Sequence, residues 1–564
     1  MNNEKLKPKL FSVMKTYTKN QFVKDVISGI IVAIIALPLS IALALASGVG
    51  PQEGLYTSIV AGFIISFLGG SRVQIAGPTA AFATMVAGIV AENGMEGLAT
   101  ATIIAGIMLV IMGFLRLGIL IQYIPTTITT GFTFGIAVTI VVGQIKDFLG
   151  LTFKHSPVET VDKLREVVFT IDTVNWWALG VGAVSLLILC LWPKRLKAIP
   201  PSLVAVVVMA LAVKMMDIPV NTIGLKADGS VNYTITASLP HFTCPDFSYG
   251  MIKKMFPDAF TIAVLAAIES LLSCVVSDGM IGSKHRSNME LIAQGAGNAC
   301  SAMFGGIPAT GAIARTAANV KNGGRTPIAG MVHAVVLLVI MVFLVPYAAL
   351  IPMPTIAAIL FQVAYNMSGW RTVAHHCKAS PKSDIIVLWL TLILTVFFDL
   401  VVAIGIGLVI ASLLFMKRMA EVTDVQSWIY KEQLDEENDV DNIELKSVPK
   451  HTRVFEINGP MFFAASEKFM SVIEKTDEDV LVIRMRSVPA IDATGVLTLE
   501  KILEKCKKNN VSLIFSHVNE QPMHALEKAG VVDKVGRDNF CAHIDAALER
   551  ANELEKAVRK NRQK

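Results

Sequence analysis

The chain has 564 residues, 53% of them hydrophobic and 17% charged, with a formal net charge of +5 and a mean hydropathy of +0.58. Runs of about 20 apolar residues recur along it, a balance that excludes a soluble protein and points to a polytopic membrane protein. The small positive charge sits mostly in short loops between apolar runs and makes no case for nucleic acid. Seven cysteines without a C-x-x-C pair indicate neither a zinc site nor a disulfide framework.

In chain order, residues 1–24 are polar and lysine-rich and lack the apolar core and cleavage site of a signal peptide, which predicts a cytoplasmic tail. Apolar segments follow at 25–47 (with Pro38 inside), 54–70, 77–91, 98–115, 125–148, 176–192 and 199–216. After the polar loop 217–254 come 258–277, 287–304, a short stretch at 305–319, and then 327–350, 356–367, 385–398 and 400–416. That is about fourteen segments of helical or half-helical length. Arg72, Arg116, Lys194-Arg195-Leu196-Lys197, the basic residues of 284–286, 321–325 and 371–382, and Lys417-Arg418 fall in alternate loops. The positive-inside rule makes those loops and both termini cytoplasmic, in a multi-pass membrane protein.

The two halves echo each other. Gly77-Pro78-Thr79 returns as Ile307-Pro308-Ala309-Thr310, with the prolines 230 residues apart; Asp25 and Asp258 open corresponding spans, and Ile124-Pro125 matches Ile351-Pro352. Seven segments per half, an odd number, would insert the copies in opposite senses, which is the architecture of secondary transporters with an interrupted helix in each repeat. From residue 417 the composition changes: an acidic linker, Asp435-Glu436-Glu437-Asn438-Asp439, leads into soluble sequence. Strands at 453–457, 480–485 and 511–516 alternate with helices at 493–507, 522–530 and 541–559, giving one small α/β domain. The boundaries expected are a tail at 1–24, a membrane domain at 25–416, a linker at 417–448 and the α/β domain at 449–564.

The stretch 305–319, GGIPATGAIARTAAN, looks like a half-helix starting at mid-membrane, with Pro308 in its first turn. Its unpaired N–H groups and positive dipole end suit an anion. Thr79 and Thr310 place hydroxyls near those helix starts, or are simply tolerated there. Arg315, about two turns in, adds positive field behind the pocket or caps the helix end. Glu269 stands well inside a span, where a charged side chain costs at least about 2.5 kcal/mol and is a functional hypothesis by default. Ser270 follows it directly, and Ser273 lies one turn further on the same face. One reading makes Glu269, with Ser273, a proton or cation site facing the anion; the other makes it a neutral packing residue. His285 and His333 read as structural, and no ligand spacing suggests a metal. With no GxxxxGK[ST] loop and no enzyme motif, neither ATP-driven pumping nor catalysis is expected, and no cofactor. In the soluble domain Thr494, between a strand and a helix, is either a phosphoryl acceptor at a helix N-terminus or part of an ordinary cap.

These pieces together resemble the sulfate permease (SulP) family, also called solute carrier family 26. They are Ala36-Leu37-Pro38, Gly54-Leu55-Tyr56, Gly69-Gly70-Ser71-Arg72, Gly77-Pro78-Thr79-Ala80, Ile268-Glu269-Ser270-Leu271-Leu272-Ser273 and Arg315-Thr316-Ala317-Ala318-Asn319. The C-terminal region resembles a STAS domain through Gly459-Pro460-Met461-Phe462-Phe463-Ala464 and Val488-Pro489-Ala490-Ile491-Asp492-Ala493-Thr494-Gly495. The resemblance implies an all-α membrane domain of fourteen segments in two inverted repeats plus the small α/β STAS domain. It also implies a core moving against a gate in an elevator-like cycle, and a homodimer in the lipid bilayer. By the same resemblance the anion lies between Pro78-Thr79-Ala80 and Thr310-Gly311-Ala312, with Glu269 as the coupling carboxylate and Arg315 as the family's arginine. Leu39 and Leu43 stand where many members have a polar and an aromatic residue. The combination looks most like the bacterial branch that carries C4-dicarboxylates with protons. Sulfate or bicarbonate transport, coupled to protons or sodium, an anion channel, and a STAS-based platform for a cytoplasmic protein partner are the alternatives on the same scaffold.

Overall fold

A computed structural model of the chain describes residues 6–155, 157, 159–193, 200–233, 238–398, 400–428, 448–463 and 478–562. The basic cluster at 194–197, the acidic run at 435–439 and Ala464 lie outside the described residues. The chain forms two compact units, Met1–Leu408 and Val409–Lys564.

The first unit is helical: α1 Lys9–Val13, α2 Lys19–Ala46, α3 Pro51–Leu68, α4 Ala83–Phe114, α5 Thr126–Leu149, α6 Thr160–Phe169, α7 Trp176–Leu191, α8 Pro201–Met215 and α9 Tyr249–Ile281. Then come α10 Ser287–Met303, α11 Ile313–Lys321, α12 Ile328–Ala348, α13 Met353–Ser368, α14 Trp370–Ala379 and α15 Lys382–Phe397, and α16 Leu400–Val422 runs from the first unit into the second. Two strands of two residues, β1 (Ala76–Gly77) and β2 (Thr310–Gly311), interrupt the helices. The helix starts follow local chemistry. Thr18 caps α2 by accepting from the Gln21 N–H at 3.2 Å, and Pro125 and Pro352 stand immediately before α5 and α13, positions where a missing N–H costs nothing. Gly94, at φ 66°, breaks α4. A side chain there would be strained, and the break separates the segments expected at 77–91 and 98–115. Among the described residues, five helical stretches are long and apolar enough to cross a bilayer: Lys19–Ala46, Ala80–Phe114, Thr126–Leu149, Tyr249–Ile281 and Val402–Val422.

Packing sorts these helices into two groups. α2, α3, α4, α9, α10, α11 and α12 pack mainly on one another, with α4 against α10 the most extensive pairing. α5, α7, α8, α13 and α15 form the other group, and α2 against α5, α8 and α13 is the main seam between them. Within the first group, Gly106 on α4 and Gly295 on α10 each face the other's carbonyl where any Cβ would collide, so the two backbones touch directly.

In the second unit α16 ends at Val422, and β3 Asp424–Trp428 follows at once, so part of the expected linker is regular structure. The sheet continues with β4 Thr452–Asn458, β5 Val480–Ser487, β6 Ser512–Ser516 and β7 Phe540–Cys541, in the order β3-β4-β5-β6-β7. β3 is antiparallel to β4 and the remaining neighbours are parallel. The helices are α17 Ala493–Lys508, α18 Glu520–Lys528, α19 Val531–Val535 and α20 Ile544–Arg562. α17 buries Val496, Leu499, Ile502, Leu503 and Cys506 on the sheet, a helical spacing. Asp492 caps α17, accepting from the Gly495 N–H at 2.8 Å while its other oxygen accepts from Phe463 N–H at 2.9 Å. Asp492→Ala is expected to cost this domain about 1 kcal/mol, read as a lower unfolding midpoint.

Candidate anion-binding site

β1 and β2 pair antiparallel, Ala76 opposite Gly311 and Gly77 opposite Thr310. From β1 the chain passes through Pro78 and Thr79 into the turn Ala80–Phe82 that opens α4. From β2 it passes through Ala312 into α11. The pairing brings two helix starts, far apart in sequence, to one place. Pro78 has no N–H with which to extend the ladder, so the strand is short.

Around this crossing most backbone groups are committed. The Ile307 N–H donates to Thr57 Oγ1 at 2.7 Å. Asn298 accepts from the Ala309 N–H and donates to the Ala309 carbonyl, both at 2.8 Å. Gly311 N–H donates to Ser270 Oγ at 3.1 Å, Ala312 N–H to the Ile75 carbonyl at 2.8 Å, and Ile75 N–H to Thr316 Oγ1 at 3.0 Å. These bonds hold 307–311 extended. Pro308 is therefore not in the first turn of a helix, as its sequence position suggested; α11 begins five residues later, at Ile313. Of Thr310, Gly311 and Ala312, the last two spend their N–H groups inside the protein. The helix-start positions, where N–H groups lack an intrahelical partner, are Ala80 and Ala81 on one side and Ile313 and Ala314 on the other.

Glu269, on α9 and half-buried, sits between these starts. Thr79 Oγ1 donates to Glu269 Oε2 at 2.9 Å, and the Thr310 hydroxyl lies beside the same carboxyl. Ser273 is buried one turn further along, and its hydroxyl has no hydrogen-bond partner among the described residues. Arg315 is 2% exposed and donates to Ser58 Oγ at 3.3 Å and to the Pro78 carbonyl at 3.2 Å. Ser58 in turn shares a 2.7 Å hydrogen bond with Ser40 on α2. The guanidinium is thus tied to the back of the strand pair. Leu43 belongs to the apolar cluster that includes Ala80 and Phe82, and half-buried Leu39 packs against it.

Ser40, Thr57, Ser58, Gln74 and Asn298 were not singled out from the sequence. Each is an uncharged polar side chain, and its task is set by a partner outside its own segment. His285 is paired with Asp278 at 2.8 Å, and His333 is buried beside α3. Thr494 stands half-buried in the first turn of α17. No group of three or more His, Cys, Asp or Glu able to hold a metal occurs among the described residues.

The sequence profile of the sulfate permease family matches residues 22–391, and that of the STAS domain residues 442–549. The Bacillus subtilis (strain 168) protein YvdB, provisionally named a sulfate transporter, is 37% identical over 535 residues, covering 94% of this chain and 98% of its own. The bicarbonate transporter BicA of Picosynechococcus sp. (PCC 7002) is 30% identical over 551 residues, covering 93% and 94%. The murine solute carrier 26 family member A9 anion transporter has the same fold, with a TM-score of 0.84 over 97% of this chain and 94% of that one at 19% identity. The chain belongs to the sulfate permease family of anion transporters and carries a C-terminal STAS domain.

Proposed function

We propose that the chain is a secondary active symporter that carries a small oxyanion, sulfate or bicarbonate, together with a proton. The observation that carries this reading is the Glu269 carboxyl held by Thr79 at the crossing of two helix N-termini. The helix starts at Ala80 and Ile313 supply N–H groups and positive dipole ends for the anion. Pro78, Thr79, Ala80 and Thr310 shape the site. Gly311 and Ala312 act through their backbone bonds, Arg315 contributes field from behind, and Leu39 and Leu43 close the first-span side with apolar surface. The dicarboxylate expectation draws no support from the relatives reported above, whose names are those of sulfate and bicarbonate transporters. The division of the helices into two groups with α2 at the seam supports an elevator-like cycle, the first group carrying the site past the second.

The test is uptake into proteoliposomes of sulfate, bicarbonate and a C4-dicarboxylate under an imposed proton or sodium gradient. Accumulation of sulfate or bicarbonate driven by the proton gradient is expected. Currents without gradient coupling, or accumulation of the dicarboxylate alone, would overturn the reading. Sodium as the coupling ion is favoured by one observation, the Ser273 hydroxyl one turn from Glu269, which has no hydrogen-bond partner among the described residues, and the sodium arm decides it.

We place both termini and the STAS domain in the cytoplasm, the chain acting as a homodimer and the STAS domain free to recruit a cytoplasmic protein, with Thr494 as a candidate phosphoryl acceptor. Exposed Cys244 then faces outward. A membrane-impermeant maleimide is expected to label Cys244 on intact cells. It should not label Cys506, whose thiol burial pushes up to about 11 and keeps unreactive even in lysates. Labelling of Cys244 only after lysis would reverse the topology.

A further inference from the structure

The segment before the first span is bolted to the membrane unit. Lys9 N–H donates to the Gly69 carbonyl at 2.9 Å and Lys9 Nζ to the Lys284 carbonyl at 2.8 Å. Arg286 donates to the Lys7 carbonyl at 2.7 Å and to Ser12 Oγ at 3.0 Å. Leu10 and Val13 are buried beneath α1. The Tyr17 hydroxyl donates to Asp25 Oδ2 at 3.0 Å, and the same carboxylate accepts from the Arg325 N–H at 2.8 Å and from Thr326 Oγ1 at 2.6 Å. Every one of these anchors lies on the helix group that carries the anion site.

The outer face of the segment is of another kind. Phe11 and Met14 are 47% and 49% exposed, three residues apart and so on one side of the short helix. Phe11 meets Phe67 of α3 edge-on at 6.1 Å between centroids, and Phe67 and Phe63 are themselves exposed, as are Phe22, Ile27 and Ile30 of α2. The apolar outer surface of the spans therefore continues without a break onto α1. Around it Lys7, Lys15, Lys19 and Lys24 are exposed, and no carboxylate pairs with any of them among the described residues.

We infer that this face rests in the interface of an anionic phospholipid leaflet, with Phe11 and Met14 among the upper acyl chains and the four lysines on lipid phosphates. An apolar strip flanked by lysines beside a span suits such a surface. Each juxtamembrane lysine contributes about 1 kcal/mol there, about a fivefold change in the docking equilibrium constant. A soluble polyanion would use the lysines and leave Phe11 and Met14 in water. Because the segment is fixed to the site-bearing helices, lipid docking ties that group to one leaflet.

The test uses the full chain with Phe11→Trp, reconstituted in vesicles of phosphatidylcholine with or without phosphatidylglycerol, one lipid brominated at a time. The emission added over wild type is expected to be quenched by brominated lipid, more by phosphatidylglycerol than by phosphatidylcholine. Each Lys→Gln change among the four should lower the docking equilibrium constant about fivefold. Added emission that neither lipid quenches, or that both quench equally, would overturn the inference. An unaltered thermal midpoint shows that the variants fold, and since anion uptake is not the readout, failure here is separate from failure of the transport reading.

Discussion

Glu269→Gln is expected to remove proton-driven accumulation while leaving the anion site assembled. The amide keeps an oxygen that accepts from the Thr79 hydroxyl, a bond of 2.9 Å in the native protein, and it keeps nearly the same volume. What it loses is the ability to take up and release a proton. For electroneutral one-to-one symport of a monovalent anion such as bicarbonate, each pH unit across the membrane supplies about 1.36 kcal/mol and drives about tenfold accumulation. The variant should fall to about onefold under the same gradient, while exchange of labelled for unlabelled anion continues. Thr79→Val, which removes the donor and keeps the shape, should leave the carboxyl unheld and weaken coupling more than binding. Undiminished gradient-driven accumulation in Glu269→Gln would sink the proton assignment, and normal sodium-driven accumulation in the same variant would leave the coupling ion to other groups.

Much of this candidate site was legible in the sequence because its parts carry local signals. Gly77-Pro78-Thr79 and the later Pro308-Ala309-Thr310 announce breaks in otherwise apolar runs, and a carboxyl in the middle of an apolar span, Glu269, is costly enough to mark a functional candidate. The repeat offset then implied that the two breaks meet, which the pairing of Ala76 with Gly311 realises. The register of the breaks was not legible. Pro308 suggested a helix start by its own preference, but Thr57, Asn298 and Ser270 capture the backbone from 307 to 311, and these partners lie on helices α3, α10 and α9. Arg315 shows the same limit. Its place behind the strands depends on Ser58, 257 residues away in sequence, and no periodicity reports that. In the soluble unit β3 was missed because it follows the last membrane helix directly and reads as linker; only its antiparallel partner β4 makes it a strand.

The crossing itself yields the second large effect: Gly77→Ala and Gly311→Ala are each expected to abolish most uptake. A Cβ at Gly77 would collide with the Arg315 guanidinium and approach Ser58 Oγ to 2.9 Å; one at Gly311 would collide with the Gln74 side-chain amide. Ends of long side chains often move aside cheaply, but neither can here. Arg315 is 2% exposed and Gln74 5%, and each is bonded where it lies, Arg315 to the Pro78 carbonyl and Gln74 to the Ser270 carbonyl at 3.1 Å. Overpacking costs about 1–3 kcal/mol, and a broken hydrogen bond to a buried charge adds about 1.5–3 kcal/mol, so Gly77→Ala should be the worse of the two. Either change pushes one helix start away from the other, and the anion loses N–H groups from one side. Gly143→Ala is the matched control, since nothing lies within 4 Å of a Cβ there and alanine favours the helix by about 1 kcal/mol. It should transport as the native protein does. If Gly77→Ala and Gly311→Ala transported like Gly143→Ala, the close strand crossing would not be what assembles the site.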